Sequence, residues 1–345
     1  MPIFTKNYLR KITSNILKAA KVPANEALMV ADCLVESNLA GHDSHGIIRL
    51  TKYLDLLKKG KAKPGIKIKI IKQTPSSAVI DGKWGLGQVV AYRAMEIAVQ
   101  KAKKSSIGIV TVHHSNHIGR LAHYATMAAK QNMIGIIIVN GTRAHVAPYG
   151  GCEPRLSTSP ICIAIPTKNK PLVLDMASSV VSEGKIRVRK NAKKDIPVGW
   201  LIDTNGKPIT DPKIFYGPIR QSILPLGGIA GYKGFGLGFM FDILAGGLSG
   251  NGCTNKEDRH IGNGIFMEAL KVESFIPLRD FYAEVEKFIK FVKSSKIAPG
   301  FKEILVPGEP ENRTLQERNK KGIFIDDTTW QEIKNRAKEL KVNLF

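Results

Sequence analysis

Apolar positions recur with a helical period as far as about residue 60. Leu28, Ala31, Leu34 and Val35 share one face, Ile47, Leu50, Leu54 and Leu57 share another, and Gly60 and Pro64 stop the run. The stretch GHDSHGIIRL, residues 41–50, falls between these two runs and is read as the joint between two helices. Strict alternation in IKIKI (66–70) predicts a strand with one exposed face, followed after TPSS by a second strand, AVIDG, and the glycine-rich turn GKWGLG.

From residue 87 the pattern is helix (GQVVAYRAMEIAVQKAKK), strand (IGIVTV), loop (HHSNHIGR), helix (LAHYATMAAKQN) and strand (MIGIIIVN), then a long loop rich in Gly and Pro. Only a turn separates PICIAIPT from PLVLDM, which suits an antiparallel pair and makes the expected sheet mixed. YKGFGLGFMFDILAGGLSG (232–250) is apolar on almost every face and predicts a buried helix. A helix around 278–294, a strand EILVP (303–307) and a terminal helix after IDDTTW, capped by Asp327 or Thr328, complete the reading. There is no internal repeat.

Composition changes this picture little. With 345 residues, 43% of them hydrophobic, the chain can bury a large core. Its formal net charge of +23 invites a nucleic-acid reading, but the lysines are spread along the chain without stacking aromatics or a helix-turn-helix, zinc-finger or RNP pattern. Such a surface attracts anions generally, and a protein binding nucleic acid or other anionic partners stays as a remote alternative. Cys33, Cys152, Cys162 and Cys253 show no CxxC spacing, which favours a reduced, cytoplasmic protein, and no segment has the length and apolarity of a signal peptide or membrane span.

Two clusters carry candidate chemistry. In the first, His45 is suited to proton transfer on a substrate oxygen, and Arg49, four residues on, to holding a carboxylate, with Ser44 beside them. The plainer alternative is a helix cap, with Asp43 or Ser44 satisfying backbone donors and His45 a bystander. In the second, HHSNHIGR (113–120) lies where a strand gives way to a helix: His117 or His114 could move a proton, and Asn116 or Ser115 could bond a substrate oxygen or cap the helix. A metal held by the histidines lacks a carboxylate at ligand spacing. Neither GxGxxG nor GxxxxGK[ST] is present; GGIAGYKGFGLG (227–238), with Lys233, is the alternative phosphate site, or else a glycine-packed helix.

Seven segments in order, GHDSHGIIRL, IDGKWGLGQ, SNHIGRLAHYA, APYGGCEPRLSTSPICIAIP, LVLDMASS, LPLGGIAGYKGFGLG and LVPGE, together resemble the malate/L-lactate dehydrogenase family, which is unrelated to the Rossmann-type enzymes of the same names. The resemblance spans essentially the whole chain. It implies an α/β (α+β) fold, a mixed sheet flanked by helices that binds the dinucleotide in a non-Rossmann manner. It also implies NAD or NADP as cofactor, no metal, no nucleic-acid or membrane partner, and a homodimer or dimer-based oligomer with its active site near the subunit interface. The expected division is a mainly helical shell, residues 1–73 with 300–345, around a mixed α/β core, 74–299, whose cofactor-binding region covers about 120–299.

By the same resemblance the activity is NAD(P)-dependent interconversion of a 2-keto and a 2-hydroxy acid, with reduction of a cyclic imino acid or sugar keto acid as the alternative. His45 takes the place of the family's catalytic histidine and Arg49 that of its carboxylate-binding arginine; His117 matches the histidine given the proton-transfer role in some relatives. Cofactor contacts map to Leu172, Val173, Leu174, Asp175, Met176, Ala177, Tyr232, Lys233, Gly308 and Glu309, with Asn140 and Gly141 near them. Many relatives read GTNP where this chain reads STSP, so Ser157 and Ser159 replace a glycine and an asparagine. Arg143 and His145 lie in a stretch that varies with substrate in the family; Arg120, Arg143 or Arg155 could meet a second anionic group.

Overall fold

The computed structural model describes residues 2–141, 143–255, 260 and 262–344. Its centre is a seven-stranded sheet: β1 (Lys69–Gln73), β2 (Ser77–Gly85), β3 (Ile107–Ser115), β4 (Met133–Gly141), β5 (Ile161–Ile165), β6 (Leu172–Met176) and β7 (Asn263–Lys271). The spatial order is β1-β2-β3-β7-β4-β5-β6. Only β2 and β3 pair in parallel, across the crossover helix; every other neighbour is antiparallel, so the sheet is mixed as expected. Short strands elsewhere make a three-stranded and a two-stranded sheet.

The helices are α1 (Lys6–Ala19), α2 (Ala24–Leu39), α3 (Leu50–Lys58), α4 (Gly87–Ser105), α5 (Ala122–Ala129), α6 (Glu183–Asn191), α7 (Gly231–Asp242), α8 (Leu278–Lys293), α9 (Glu309–Lys321) and α10 (Asp327–Glu339). Ala91, Ala94, Ala98 and Ala102 line the buried face of α4, so this helix packs closely on Val110 and Val112 of β3 and on Ile265 and Met267 of β7. A second core joins the ends of the chain: Leu9, Ile16, Leu34 and Leu50 of the first helices pack with Ile323, Ile333 and Ala337. A third, around Val146, Ile186, Leu201 and Ile223, supports the segment from which α6 projects.

Four local expectations need correction. The strand expected at 66–70 begins only at Lys69; Ile68 packs instead against the main core. EILVP forms no strand, because its extended backbone meets β6 through one bond, Val173 N–H to the Pro307 carbonyl at 3.2 Å. The cap of α10 is Asp326, whose side chain accepts from Thr329 N–H, one residue ahead of the expected pair. The apolar 232–250 stretch is α7 followed by a π-helical turn, Ile243–Gly247, and it is not buried all round: Leu237, Phe239, Met240, Ile243 and Leu248 are 44–60% exposed. Gly234 and Gly238, with Phe241 and Ala245, form the contact side. A Cβ at Gly234 would meet the Leu226 backbone and one at Gly238 the Ser178 hydroxyl, so the exposed large side chains are turned outward.

Candidate active site

The joint at 41–50 is two successive 3-10 turns, Asp43–His45 and Ile47–Arg49, and neither has a side-chain cap. Asp43 instead accepts from Asn38 Nδ2 at 2.7 Å and from both terminal nitrogens of Arg318, at 2.6 and 3.0 Å. Asn38 Oδ1 in turn accepts from Ile47 N–H. The α2–α9 contact therefore clamps the joint and turns His45 and Arg49 together toward a cavity of about 230 Å³.

His117 reaches the same cavity from the end of β3. The two imidazoles stack with centroids 5.6 Å apart and planes 15° from parallel. Each has its Nδ1 occupied: His45 lies 3.0 Å from Ser44 Oγ, and His117 lies 2.8 Å from the Tyr53 hydroxyl, which also accepts from Gln88 Nε2 at 2.8 Å. Tyr53 and Gln88 are buried, so the Tyr53 proton needs an acceptor, and His117 Nδ1 is the one within reach. That bond places the proton of neutral His117 on Nε2. Burial, and next the Arg49 charge, lower His45 to about 3 and His117 well below its ordinary value, so both rings are neutral at pH 7.

Arg49 is buried and held on two sides: its Nε donates to the Ser44 carbonyl at 2.7 Å, and its Nη2 pairs with Glu183 at 3.2 Å. Glu183, the first residue of α6, also pairs with Arg187 at 2.7 Å and accepts from the Tyr216 hydroxyl at 3.0 Å. Burial alone would raise the Glu183 carboxyl, but Arg49 and Arg187 hold it well below the usual carboxylate range. Gly184 permits this approach, since a Cβ there would lie 2.6 Å from Arg49 Nη2. Also in the cavity are Lys52, lowered to about 8 by burial and then by Arg49, and His145, lowered to about 4 chiefly by burial.

A second hollow of about 360 Å³ continues from His45, Gly119 and Ser182 past Arg120 and Lys185 to Asp175, Met176 and Ala177. The Arg120 Nε is buried without a hydrogen-bond partner, an arrangement that suits an anion entering the hollow. Gly308 lies against Val173, and Val173 N–H donates to the Pro307 carbonyl, so the strand at 172–176 and the turn that carries Gly308 and Glu309 are neighbours although far apart in sequence. Within 172–177, Asp175, Met176 and Ala177 line the hollow; Leu172, Val173 and Leu174 do not, and Asp175 also accepts from Ala122 N–H. Tyr232 and Lys233 lie at the start of α7 and line neither space.

Other expected residues have structural partners. Asn116 Nδ2 donates to the carbonyls of Lys61, Trp84 and Gly85 and does not line the cavity. Asn140 bonds Asp242, the Gly252 carbonyl and Gly264 N–H, tying β4 to α7 and β7, whereas Gly141 and Arg143 do line the cavity. Ser157 Oγ accepts from Gly141 N–H and lies 2.8 Å from Ser159 Oγ, so the two serines brace the end of β4. Asp81 of β2 supplies a carboxylate 3.0 Å from His114 Nδ1, and with His113 the ligand-type atoms lie within 4.8 Å of one another. This cluster is separate from both spaces.

A model of the malate/L-lactate dehydrogenase family matches residues 4–334. The chain belongs to this family. It is 42% identical to the malate dehydrogenase of Pyrococcus horikoshii over 98% of this chain and 95% of that protein. It is 38% identical to the L-sulfolactate dehydrogenase of Methanothermobacter thermautotrophicus over 97% and 96%. The sulfolactate dehydrogenase structure from Methanocaldococcus jannaschii superposes with a TM-score of 0.87 at 37% identity, covering 99% of this chain and 98% of that one. This family member is thus a hydroxyacid dehydrogenase by kinship.

Sequence reasoning missed Lys52, Tyr53, Gln88, Glu183 and His260, all at or beside the cavity. Lys52 was visible as the third residue after Arg49 on a helical run, and Glu183 as an isolated acid within a strongly basic chain. Gln88 and Tyr53 carried no signal, because their importance lies in a contact across 35 residues.

Proposed function

We propose that this family member interconverts a 2-keto acid and its 2-hydroxy acid with NAD or NADP. The carrying observation is the pair of stacked, neutral imidazoles beside a buried arginine in a cavity continuous with the Arg120 hollow. A bound nicotinamide would exchange hydride with C2 of the acid. Arg49, fixed by Ser44 and Glu183, holds the substrate carboxylate and fixes its orientation. His45, whose partner is an adaptable serine hydroxyl, takes the hydroxyl proton during oxidation and returns it during reduction. Its neutral resting state is the state a base requires, and an anion on Arg49 removes part of the charge that opposes its protonation. His117, with Nε2–H directed by the Tyr53 bond, donates to the same oxygen and stabilises the charge that develops there.

Arg120 and Lys185 suit the cofactor phosphates, with Asp175, Met176 and Ala177 forming the adjoining wall. The outward apolar side chains of α7, with Phe288 and Phe291 of α8, favour a homodimer, testable by light scattering after size exclusion. No helix among the described residues is long and apolar enough to cross a membrane. The function is tested by mixing the purified protein with NADH or NADPH and a panel of 2-keto acids and cyclic imino acids. Turnover of a 2-keto acid is expected; turnover restricted to a cyclic imino acid, or none with any pair, overturns the reading.

A further inference from the structure

The cavity is lined by four basic side chains, Arg49, Lys52, Lys61 and Arg143, besides its histidines, and by one carboxylate, Glu183. That carboxylate is already committed to Arg49 and Arg187. Lys61 and Arg143 are exposed, so solvent screens them. Lys52 is different: it is largely enclosed and forms no hydrogen bond or ion pair among the described residues, although lysines withdrawn from water are normally paired. The resulting cost is visible in its ammonium, which burial and then Arg49 bring down to about 8.

Lys52 stands three residues after Arg49 at the start of α3, and both line the cavity. Residues three apart on a helix face lie about 5–6 Å apart at Cβ, a separation that one small substrate with two anionic ends can bridge. A monocarboxylate on Arg49 would leave Lys52 unmatched. Resting on the dehydrogenase reading, we propose that Lys52 binds a second anionic group and thereby selects 2-keto acids that carry an additional carboxylate or sulfonate.

The test compares kcat/KM for oxaloacetate, sulfopyruvate and pyruvate in the wild type, Lys52→Met and Lys52→Arg. A hydrogen bond to a charged group contributes about 1.5–3 kcal/mol, or about 10- to 150-fold in rate constant. Lys52→Met should therefore reduce the ratio of either dianion to pyruvate by about that factor, and Lys52→Arg should preserve most of it. The larger wild-type value between oxaloacetate and sulfopyruvate identifies the preferred second group. An equal fall for all three substrates in Lys52→Met, or a wild-type preference for pyruvate, overturns the assignment while leaving the dehydrogenase reading intact. Wild-type turnover of other 2-keto acids but of none of these three also overturns the assignment; no turnover of any 2-keto acid in the panel removes the dehydrogenase reading on which it rests. Melting temperature guards against misfolding, and removing an unpaired enclosed charge should hold or raise it; Lys52→Gln takes the place of Lys52→Met if that variant does not fold.

Discussion

Substituting Tyr53 by Phe removes one oxygen from the buried chain Gln88–Tyr53–His117, whose two links are each 2.8 Å. Gln88 is 1% exposed and would be left with an unmatched donor, which costs about 1–3 kcal/mol of stability. The His117 Nδ1 would lose the bond that keeps its proton on Nε2. A single bond of this kind is worth about 0.5–1.5 kcal/mol, so kcat should fall by about two- to twelvefold, well short of the 10²–10³ loss typical when an oxyanion donor is removed outright, about the effect expected for His117→Ala. The double variant Tyr53→Phe/Gln88→Leu separates the two consequences. Removing both partners restores most of the stability, because no buried donor remains, but leaves the tautomer free and kcat low. Nitrogen NMR of the imidazole, melting temperature and steady-state rates measure the three quantities. Full recovery of kcat in the double variant, or an unchanged His117 tautomer in Tyr53→Phe, would show that the chain is only structural.

Glu183→Gln leaves Arg49 and Arg187 without their carboxylate, and breaking such a buried pair should lower unfolding free energy by about 3–5 kcal/mol in a denaturant titration. Gly184→Ala places a Cβ 2.6 Å from Arg49 Nη2 and 2.7 Å from Ser44 Cβ, so the guanidinium must move; KM for the keto acid should rise by more than kcat falls. Lys52 has a folded value of about 8 against an unfolded 10.5, so the folded state binds fewer protons between these values and its stability should increase over that interval. The Lys52→Met variant should show a smaller increase, read from unfolding at successive pH values.

The sheet was readable because its strands are bounded by local signals: apolar runs such as MIGIIIVN, and a turn too short for a crossover between β5 and β6. The α7 segment misled because periodicity cannot tell a helix surrounded by protein from one that packs through a glycine-rich face with Phe241 and Ala245 and leaves its other large side chains outside. At the site, the i,i+4 spacing pointed to His45 and Arg49 together, and both do reach the cavity, but through two 3-10 turns separated by an extended Gly46 and not along one helical face. Local spacing left the choice between capping and chemistry open; the fold commits Asp43 to Arg318, a residue 275 positions away. Distance in sequence likewise hid Glu183 from Arg49 and Asp81 from His114.

The most direct test of the proposed chemistry is nicotinamide absorbance during single turnover of the wild type, His45→Ala, His117→Ala and the double variant with the best 2-keto acid of the panel. Hydride transfer in the wild type, a large loss in His45→Ala and a loss of about 10²–10³ in His117→Ala are expected. Wild-type rates in the double variant would contradict the account, because the stacked histidines could then have no part in the chemistry.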